Sequence, residues 1–189
     1  VRLIGINAPE IGRKGRTSEP YAEAARRRLQ ALVKANDDRV GLVPGVEGKD
    51  KYGRTLAHIY SRNGDNLEAQ LLSEGLGYRV AIAPNVRFSG CQQLAEQVAR
   101  QAGVGLWRRS PVVAASDVRQ SGFAVVRGRI EGIERNRGGV WLTLGGTLVL
   151  QVPARLQRNF PASFFDNLKG RQVEAVSYTH LTLPTIYSV

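Results

Sequence analysis

Two short stretches of the sequence place arginine and carboxylate side chains where they could act on a phosphate group. Arg2 lies in the apolar run Val1–Ile6, and Glu10 follows soon after this run ends. A second arginine closes the stretch Asp50–Arg54. A phosphodiester under attack gathers negative charge, which guanidinium groups bind through two oxygens, and a nearby carboxylate can orient or deprotonate water. These residue types suit phosphodiester hydrolysis, although two arginines and a glutamate can equally form a structural ion pair.

Hydrophobic spacing predicts the elements that must hold these residues. Val1–Ile6 is typical of a buried strand, and Arg54–Tyr60 alternates as a second strand does. Helices are predicted after Ser18 and Asn66, both expected as N-caps, and over Ser89–Ala102. On this third helix the residues expected to face inward are Leu94, Ala95, Val98 and Ala102.

The first strand carries a geometric difficulty. Successive residues of a strand point to opposite faces, so Arg2 and Asn7 would lie on opposite sides. They can share a face only if Gly5 marks a bulge or if Asn7 already lies beyond the regular strand.

The pattern changes after Trp107. Residues 110–121 are small, polar and proline-containing, which predicts a linker, and residues 122–176 hold closely spaced strands with one helical insert. Such a pattern is typical of a small barrel of the oligonucleotide/oligosaccharide-binding (OB) type. Residues 177–189 contain no charged side chain, and we expect them to be a non-native tail. Two interpretations of this barrel are open. It could bind nucleic acid, or, as is slightly favoured, it could present a charged surface around a core tryptophan. Both concern the same residues, Arg127, Arg129, Arg135, Arg137 and Trp141.

Composition narrows the possible functions. The chain has 189 residues and a formal net charge of +11, which favours a polyanionic partner, nucleic acid first. Two histidines and one cysteine, Cys91, argue against a zinc site and against an internal disulfide. No apolar run is long enough to span a bilayer. The sequence has no methionine and opens on Val1 within a strand pattern, so we expect a fragment whose N-terminal strands are missing.

Three segments, in order, are similar to the staphylococcal nuclease (thermonuclease) family: Val1–Glu10, Asp50–Tyr60 and Asn66–Gly77, with the similarity continuing to Trp107. An ordered match of this length is more specific than any single motif. The resemblance implies an α+β fold over residues 1–109, in which a nuclease-type OB barrel carries three helices. It also implies calcium-dependent hydrolysis of DNA and RNA. The second OB-like barrel would follow.

The resemblance also implies roles for single residues. Arg2 and Arg54 match the two phosphate-binding arginines of the family, and Glu10 matches its proposed general base. Asn7 stands where a calcium-binding aspartate is usual, and Ala8 where a ligand donates its backbone carbonyl. The substrate-binding residues would be Lys51, Tyr52 and Tyr78.

Two departures from the family weaken the expected metal site. Asn7 offers a carbonyl oxygen without a charge, and the second calcium aspartate belongs to a strand upstream of Arg2. Because calcium prefers six to eight oxygens, we expect weak binding and little or no turnover by this chain. The alternatives are a non-catalytic nucleic-acid-binding module and an envelope-associated protein whose barrels bind protein or polysaccharide. The family further implies a secreted or periplasmic location, and we expect a monomer.

Overall fold

The computed structural model of the protein contains two compact units, Val1–Ser110 and Pro111–Val189. It describes residues 1–13, 15–119, 121–146, 148–179 and 185–188, with side chains described as far as residue 176. Both units combine strands with helices, which confirms the predicted α+β class. No helix in the described ranges is long and apolar enough to cross a membrane.

The described part of the first unit consists of short strands and three α-helices around one apolar core. The elements are β1 (Arg2–Leu3), β2 (Ile6–Asn7), α1 (Ala22–Lys34), β3 (Gly41–Lys49), β4 (Thr55–Tyr60), α2 (Leu67–Ser73), β5 (Tyr78–Arg79) and α3 (Ser89–Ala102), followed by a 3-10 turn (Gly105–Arg108). Strand β4 lies between β1, which runs parallel to it, and antiparallel β3, while β2 pairs antiparallel with β5. Helices α1 and α2 supply much of the core.

One of the two predicted helix caps is confirmed and the other is wrong. Asn66 caps α2, since its side-chain oxygen accepts the Ala69 N–H at 2.8 Å. Ser18 does not cap α1, because its hydroxyl instead accepts the Gly12 N–H at 3.1 Å and closes the intervening loop. Helix α1 begins only after Tyr21, which has a left-handed backbone (φ 66°).

The inward face predicted for α3 is right for Ala95, which packs against the core, and wrong for Leu94, Val98 and Ala102, which are exposed. Leu94 and Val98 are 66% and 56% exposed, whereas Gln92 and Glu96 are buried together with Ala99. The polar pair is buried because short strands leave backbone groups without strand partners. Gln92 donates its amide to the Ile4 carbonyl at 3.1 Å, and Glu96 accepts the Arg79 N–H at 2.7 Å. The helix is thus bound to the sheet through hydrogen bonds that a hydrophobic pattern does not reveal.

This arrangement predicts a clear difference between two leucines. Leu72→Ala empties a fully buried site and should lower the free energy of unfolding by about 2–5 kcal/mol. Leu94→Ala should change it by less than about 0.5 kcal/mol, because that side chain is mostly exposed. Urea unfolding followed by Trp107 fluorescence, in a Trp141→Phe background, reports on the first unit alone. Equal destabilisation by both changes would contradict the observed packing of α3.

The second unit is a strand barrel with one short helix. Its elements are β6 (Val112–Ala114), a 3-10 turn (Ala115–Asp117), β7 (Gly122–Asn136), β8 (Gly139–Leu144), β9 (Leu148–Pro153), α4 (Ala154–Gln157), β10 (Gln172–Thr179) and β11 (Thr185–Ser188). Strand β7 pairs with β8, β8 with β9, β9 with β11 and β11 with β10, and β10 returns to pair with β7. Pairing therefore closes on itself, and α4 connects β9 to β10 along the chain, as the predicted OB-like barrel requires.

Two segments predicted to lie outside this barrel take part in it. Residues 112–117, within the predicted linker, contribute β6 alongside β7 and the buried side chain of Ala115. Residues 177–179 continue β10, and Thr185–Ser188 forms β11, although both belong to the segment predicted to be a non-native tail. Residues 180–184 and 189 of that segment lie outside the described residues. The origin of the tail stays a prediction.

Candidate active site

A break in the first strand brings Arg2 and Asn7 to the same side of the sheet. Gly5 lies between β1 and β2 with φ 83°, and a Cβ there would lie 2.0 Å from the Gln92 Oε1 atom. The chain changes direction at this glycine, so that Arg2 Nη2 lies 3.4 Å from Asn7 Oδ1. The expected irregularity at Gly5 is therefore present, and buried Gln92 holds it in place through the Ile4 carbonyl.

The parallel pairing of β1 with β4 relates Arg2 to Arg54. Arg2 lies opposite Leu56, and Arg54 directly precedes β4, two residues before Leu56. The Arg54 carbonyl accepts the Asp50 N–H at 3.0 Å, next to the Lys49–Thr55 pair of the β3–β4 ladder. Partners in a ladder point the same way and strand side chains alternate, so we infer that both arginines project from the same face. That face also carries the amide oxygen of Asn7.

A tight turn fixes the position of Arg54. The Asp50 carboxylate accepts the backbone N–H groups of Tyr52 and Arg54, each at 2.9 Å, and the Arg54 Nε–H at 2.6 Å. Gly53 permits the turn with φ 78°. Within the described part of the chain this salt bridge uses only the Nε–H of Arg54, which leaves its terminal NH₂ groups available to a phosphate.

The same contacts act on the acidity of Asp50. Partial desolvation raises the pKa of its carboxyl, but the hydrogen bonds from Arg54 and Tyr52 and the charge of Arg54 outweigh this effect. The net result is a pKa below the usual aspartate value. A carboxyl with a lowered pKa stabilises the fold above its ordinary pKa and loses that contribution as the pH falls through the lowered value. The turn should therefore persist throughout the neutral and mildly acidic range.

This predicts a result for the titration of Asp50. Its carboxyl carbon, followed by NMR, should titrate below the ordinary aspartate pKa of about 3.9. Arg54→Ala should raise that pKa, because it removes both the side-chain hydrogen bond and the charge. Arg62→Ala, which breaks the separate ion pair with Asp37, should leave it unchanged. An ordinary pKa for Asp50 in the unsubstituted protein would contradict the proposed hold on Arg54.

Glu10 is exposed and is positioned through its backbone. The Glu10 N–H donates to Glu19 Oε2 at 2.7 Å, and the Glu19 N–H donates to the Glu10 carbonyl at 2.9 Å. This reciprocal pair closes the loop between the two glutamates. Among the described residues the Glu10 carboxylate has no ion pair with either arginine, so the alternative of a structural Arg–Glu pair is not what the structure contains.

The three predicted substrate-binding residues have different surroundings. Tyr52 is 71% exposed, with Lys51 Nζ 5.1 Å and Arg54 Cζ 5.5 Å from its ring centre. Tyr78 lies opposite Asn7 in the β2–β5 pair and contacts Trp107 edge to face at 5.8 Å. Burial, followed by the charges of Glu19 and Glu96, raises the pKa of Tyr78, so its hydroxyl is neutral at physiological pH. Tyr52 is thus the more open of the two rings.

The residues expected to bind calcium fit that ion only in part. Asn7 Oδ1 and the Ala8 carbonyl are hard oxygen donors, the class that calcium prefers. No group of three or more metal-binding side chains occurs among the residues that the structure describes. In addition, the guanidinium of Arg2 lies beside the Asn7 oxygen and would oppose a cation there. A weak site is the most that these donors support.

Three residues around the site were not assigned a role from the sequence. Asp50 shapes the Arg54 turn, Glu19 positions Glu10, and Gln92 supports the break at Gly5. A carboxylate four residues before an arginine, with a glycine between them, is a detectable turn signal for Asp50. Glu19 and Gln92 act on distant backbone groups, which no local pattern reveals.

Comparison with known proteins identifies relatives of the first unit. The family model for staphylococcal nuclease homologues matches residues 1–109. Endonuclease YncB of Bacillus subtilis is 33% identical over 115 residues, 60% of this chain and 53% of the relative. Thermonuclease of Staphylococcus intermedius is 33% identical over 110 residues, 58% of this chain and 63% of the relative. A probable endonuclease, LCL3, of Podospora anserina is 30% identical over 117 residues, 57% of this chain and 41% of the relative.

The chain therefore spans less than two thirds of the length of each of these relatives. The family match covers more than half of the chain and contains every residue of the candidate site. The resemblance inferred from the three sequence segments is confirmed. The chain belongs to the staphylococcal nuclease homologue family.

Proposed function

We propose that the protein is a metal-dependent nuclease of the thermonuclease type, which hydrolyses phosphodiester bonds of DNA or RNA. One observation carries this proposal. Arg2, Arg54 and the Asn7 oxygen share one face, at the junction of β1, β2 and β4. Family membership and the net charge of +11 support it further.

In the proposed reaction, Arg2 and Arg54 bind the phosphate and stabilise the charge that grows on its equatorial oxygens. Arg54 is suited to this because Asp50 holds its Nε–H and fixes the plane of the guanidinium. Glu10 orients or deprotonates the attacking water. Its exposed carboxylate is free to do so because the loop is held through backbone contacts with Glu19. Lys51 and Tyr52 would contact the adjoining nucleotides.

We propose calcium as the metal, held weakly by Asn7 and Ala8. When bound, such an ion would polarise the phosphate and neutralise part of its charge. Because Asn7 is neutral, the chain should need calcium at millimolar concentration, and its turnover should be slow. A secreted or periplasmic location, which the family implies, and a monomeric state remain predictions.

The second candidate function is nucleic-acid binding without hydrolysis, which the neutral Asn7 favours. One experiment separates the two. Labelled single-stranded DNA is mixed with the protein in chelator and in millimolar calcium, and both complex formation and chain cleavage are measured. The nuclease proposal predicts binding in both conditions and cleavage in calcium only. Binding with no cleavage at any calcium concentration, by this chain and by Asn7→Asp alike, would support the binding module instead.

A further inference from the structure

The second unit carries an exposed aromatic face that the proposed nuclease site does not explain. In β8 the side chains of Val140, Leu142 and Leu144 are buried in the barrel core, whereas Trp141 and Thr143 point outward. Trp141 is therefore not the core tryptophan that was favoured from the sequence. Half-buried on the outer surface, it exposes part of a large aromatic ring.

A turn holds this ring in a fixed orientation. Asn136 Oδ1 accepts both the Trp141 indole N–H at 3.1 Å and the Gly138 N–H at 2.8 Å. On the other side, Gln151 is paired with Trp141 across the strands and donates to the Gly138 carbonyl at 3.2 Å. A ring fixed in this way loses little conformational freedom when a flat partner stacks on it.

Two exposed arginines belong to the segments that adjoin this turn. Arg137 is in the turn itself, and Arg155 follows Ala154, whose N–H donates to the Gly138 carbonyl at 3.2 Å. Neither arginine forms an ion pair with any residue that the structure describes, in contrast to Arg127 and Arg135. Both arginines are exposed, and their backbones lie at the turn that fixes Trp141 or directly beside it.

One carboxylate faces the same area. Glu134 lies opposite Trp141 in the β7–β8 ladder and is exposed. Residues 111–176 nevertheless contain nine Arg or Lys and five Asp or Glu, a net charge of +4. An anionic partner is therefore favoured over a cationic or neutral one, and Glu134 is expected to weaken its binding.

We propose that this face of the second unit, formed by Arg137, Trp141 and Arg155, binds single-stranded nucleic acid. A base stacks on Trp141, and Arg137 and Arg155 contact the neighbouring phosphates. Stacking on a fixed aromatic ring beside positive charge is how single strands are bound without sequence preference, and the second and third strands of an OB barrel are its usual binding face. The proposal does not depend on hydrolysis by the first unit.

The test is fluorescence anisotropy of a labelled oligothymidylate of about 12 nucleotides, titrated with the whole chain in chelator. An Arg54→Ala background reduces binding by the first unit. Trp141→Thr should weaken binding about tenfold or more, whereas Trp141→Phe should retain most of it. Arg137→Ala should lower the slope of log affinity against log salt by roughly 0.7.

Two further variants separate this site from general attraction between charges. Glu134→Gln should tighten binding, a gain that misfolding could not produce. Arg171→Ala removes the same charge at a distant point of the barrel. The Arg171 carbonyl accepts the Ile130 N–H, and Ile130 lies about 20 Å along β7 from Asn136. Arg171→Ala should therefore weaken binding less than Arg137→Ala. The proposal is overturned if Trp141→Thr binds as tightly as the unsubstituted chain. It is also overturned if Arg137→Ala and Arg171→Ala weaken binding equally. If heparin displaces the oligonucleotide equally well from the unsubstituted chain and from Trp141→Thr, the surface binds polyanions in general. That result would also overturn the proposal.

Discussion

Replacing Asn7 by aspartate is expected to raise the calcium affinity of the protein at least about tenfold and to raise its turnover at low calcium. Asn7 contributes one neutral oxygen to a site that has no cluster of three metal-binding side chains among the described residues. A carboxylate at the same position adds a formal negative charge beside the cation. Ligand charge is one of the main determinants of calcium affinity, and a tenfold gain corresponds to about 1.4 kcal/mol.

The measurement is cleavage of single-stranded DNA across a calcium titration, for the unsubstituted chain and for Asn7→Asp. Asn63→Asp is the matched control, because it makes the same change of charge in an exposed turn. It should shift neither the calcium midpoint nor the rate. The new carboxylate could also pair with Arg2, whose guanidinium already lies 3.4 Å from Asn7. If that pairing dominated, Asn7→Asp would bind calcium no better and would cleave more slowly, contrary to the expected result.

The second large effect concerns Arg54. In the Asn7→Asp background, where activity is easier to measure, Arg54→Ala should lower kcat at least about 100-fold, the effect typical of losing one preorganised donor to transition-state charge. Arg54→Lys should restore little, because an ammonium group cannot bind two phosphate oxygens in a plane and cannot reproduce the Nε–H bond to Asp50.

Arg62→Ala is the matched control for this change. Arg62 is about as exposed as Arg54 and likewise pairs with an aspartate, but it lies outside the candidate site. Its replacement should leave kcat and KM within about twofold of the parent, since surface ion pairs contribute little. If Arg54→Ala raised KM but left kcat intact, Arg54 would bind substrate without stabilising the transition state.

Local signals in the sequence were sufficient where the structure depends on local contacts. Asn66 was predicted to cap α2 because its side chain reaches the N–H groups of its own first turn, and it does so. The pairing of Arg2 with Asn7 depended on Gly5, which the strand parity had already marked as irregular.

Prediction failed where distant backbone groups decide which side chains are buried. In α3, Gln92 and Glu96 are buried because they complete the hydrogen bonding of interrupted strands, so the leucine and valine of that helix face outward. Trp141 was similarly misplaced. A core position is the expectation favoured from the sequence, but the alternation of β8 assigns Val140 and Leu142 to the interior and leaves Trp141 on the outer surface.

The central claim is that the face carrying Arg2, Asn7 and Arg54 hydrolyses phosphodiesters with the help of a weakly bound calcium ion. The most direct test is cleavage of single-stranded DNA by the unsubstituted 189-residue chain, measured from micromolar to millimolar calcium with a chelator blank. We predict no cleavage in chelator, at most slow cleavage by the unsubstituted chain at millimolar calcium, and for Asn7→Asp cleavage with a calcium midpoint at least about tenfold lower. Cleavage that persists unchanged in chelator, or none at any calcium concentration in either chain, would contradict the claim.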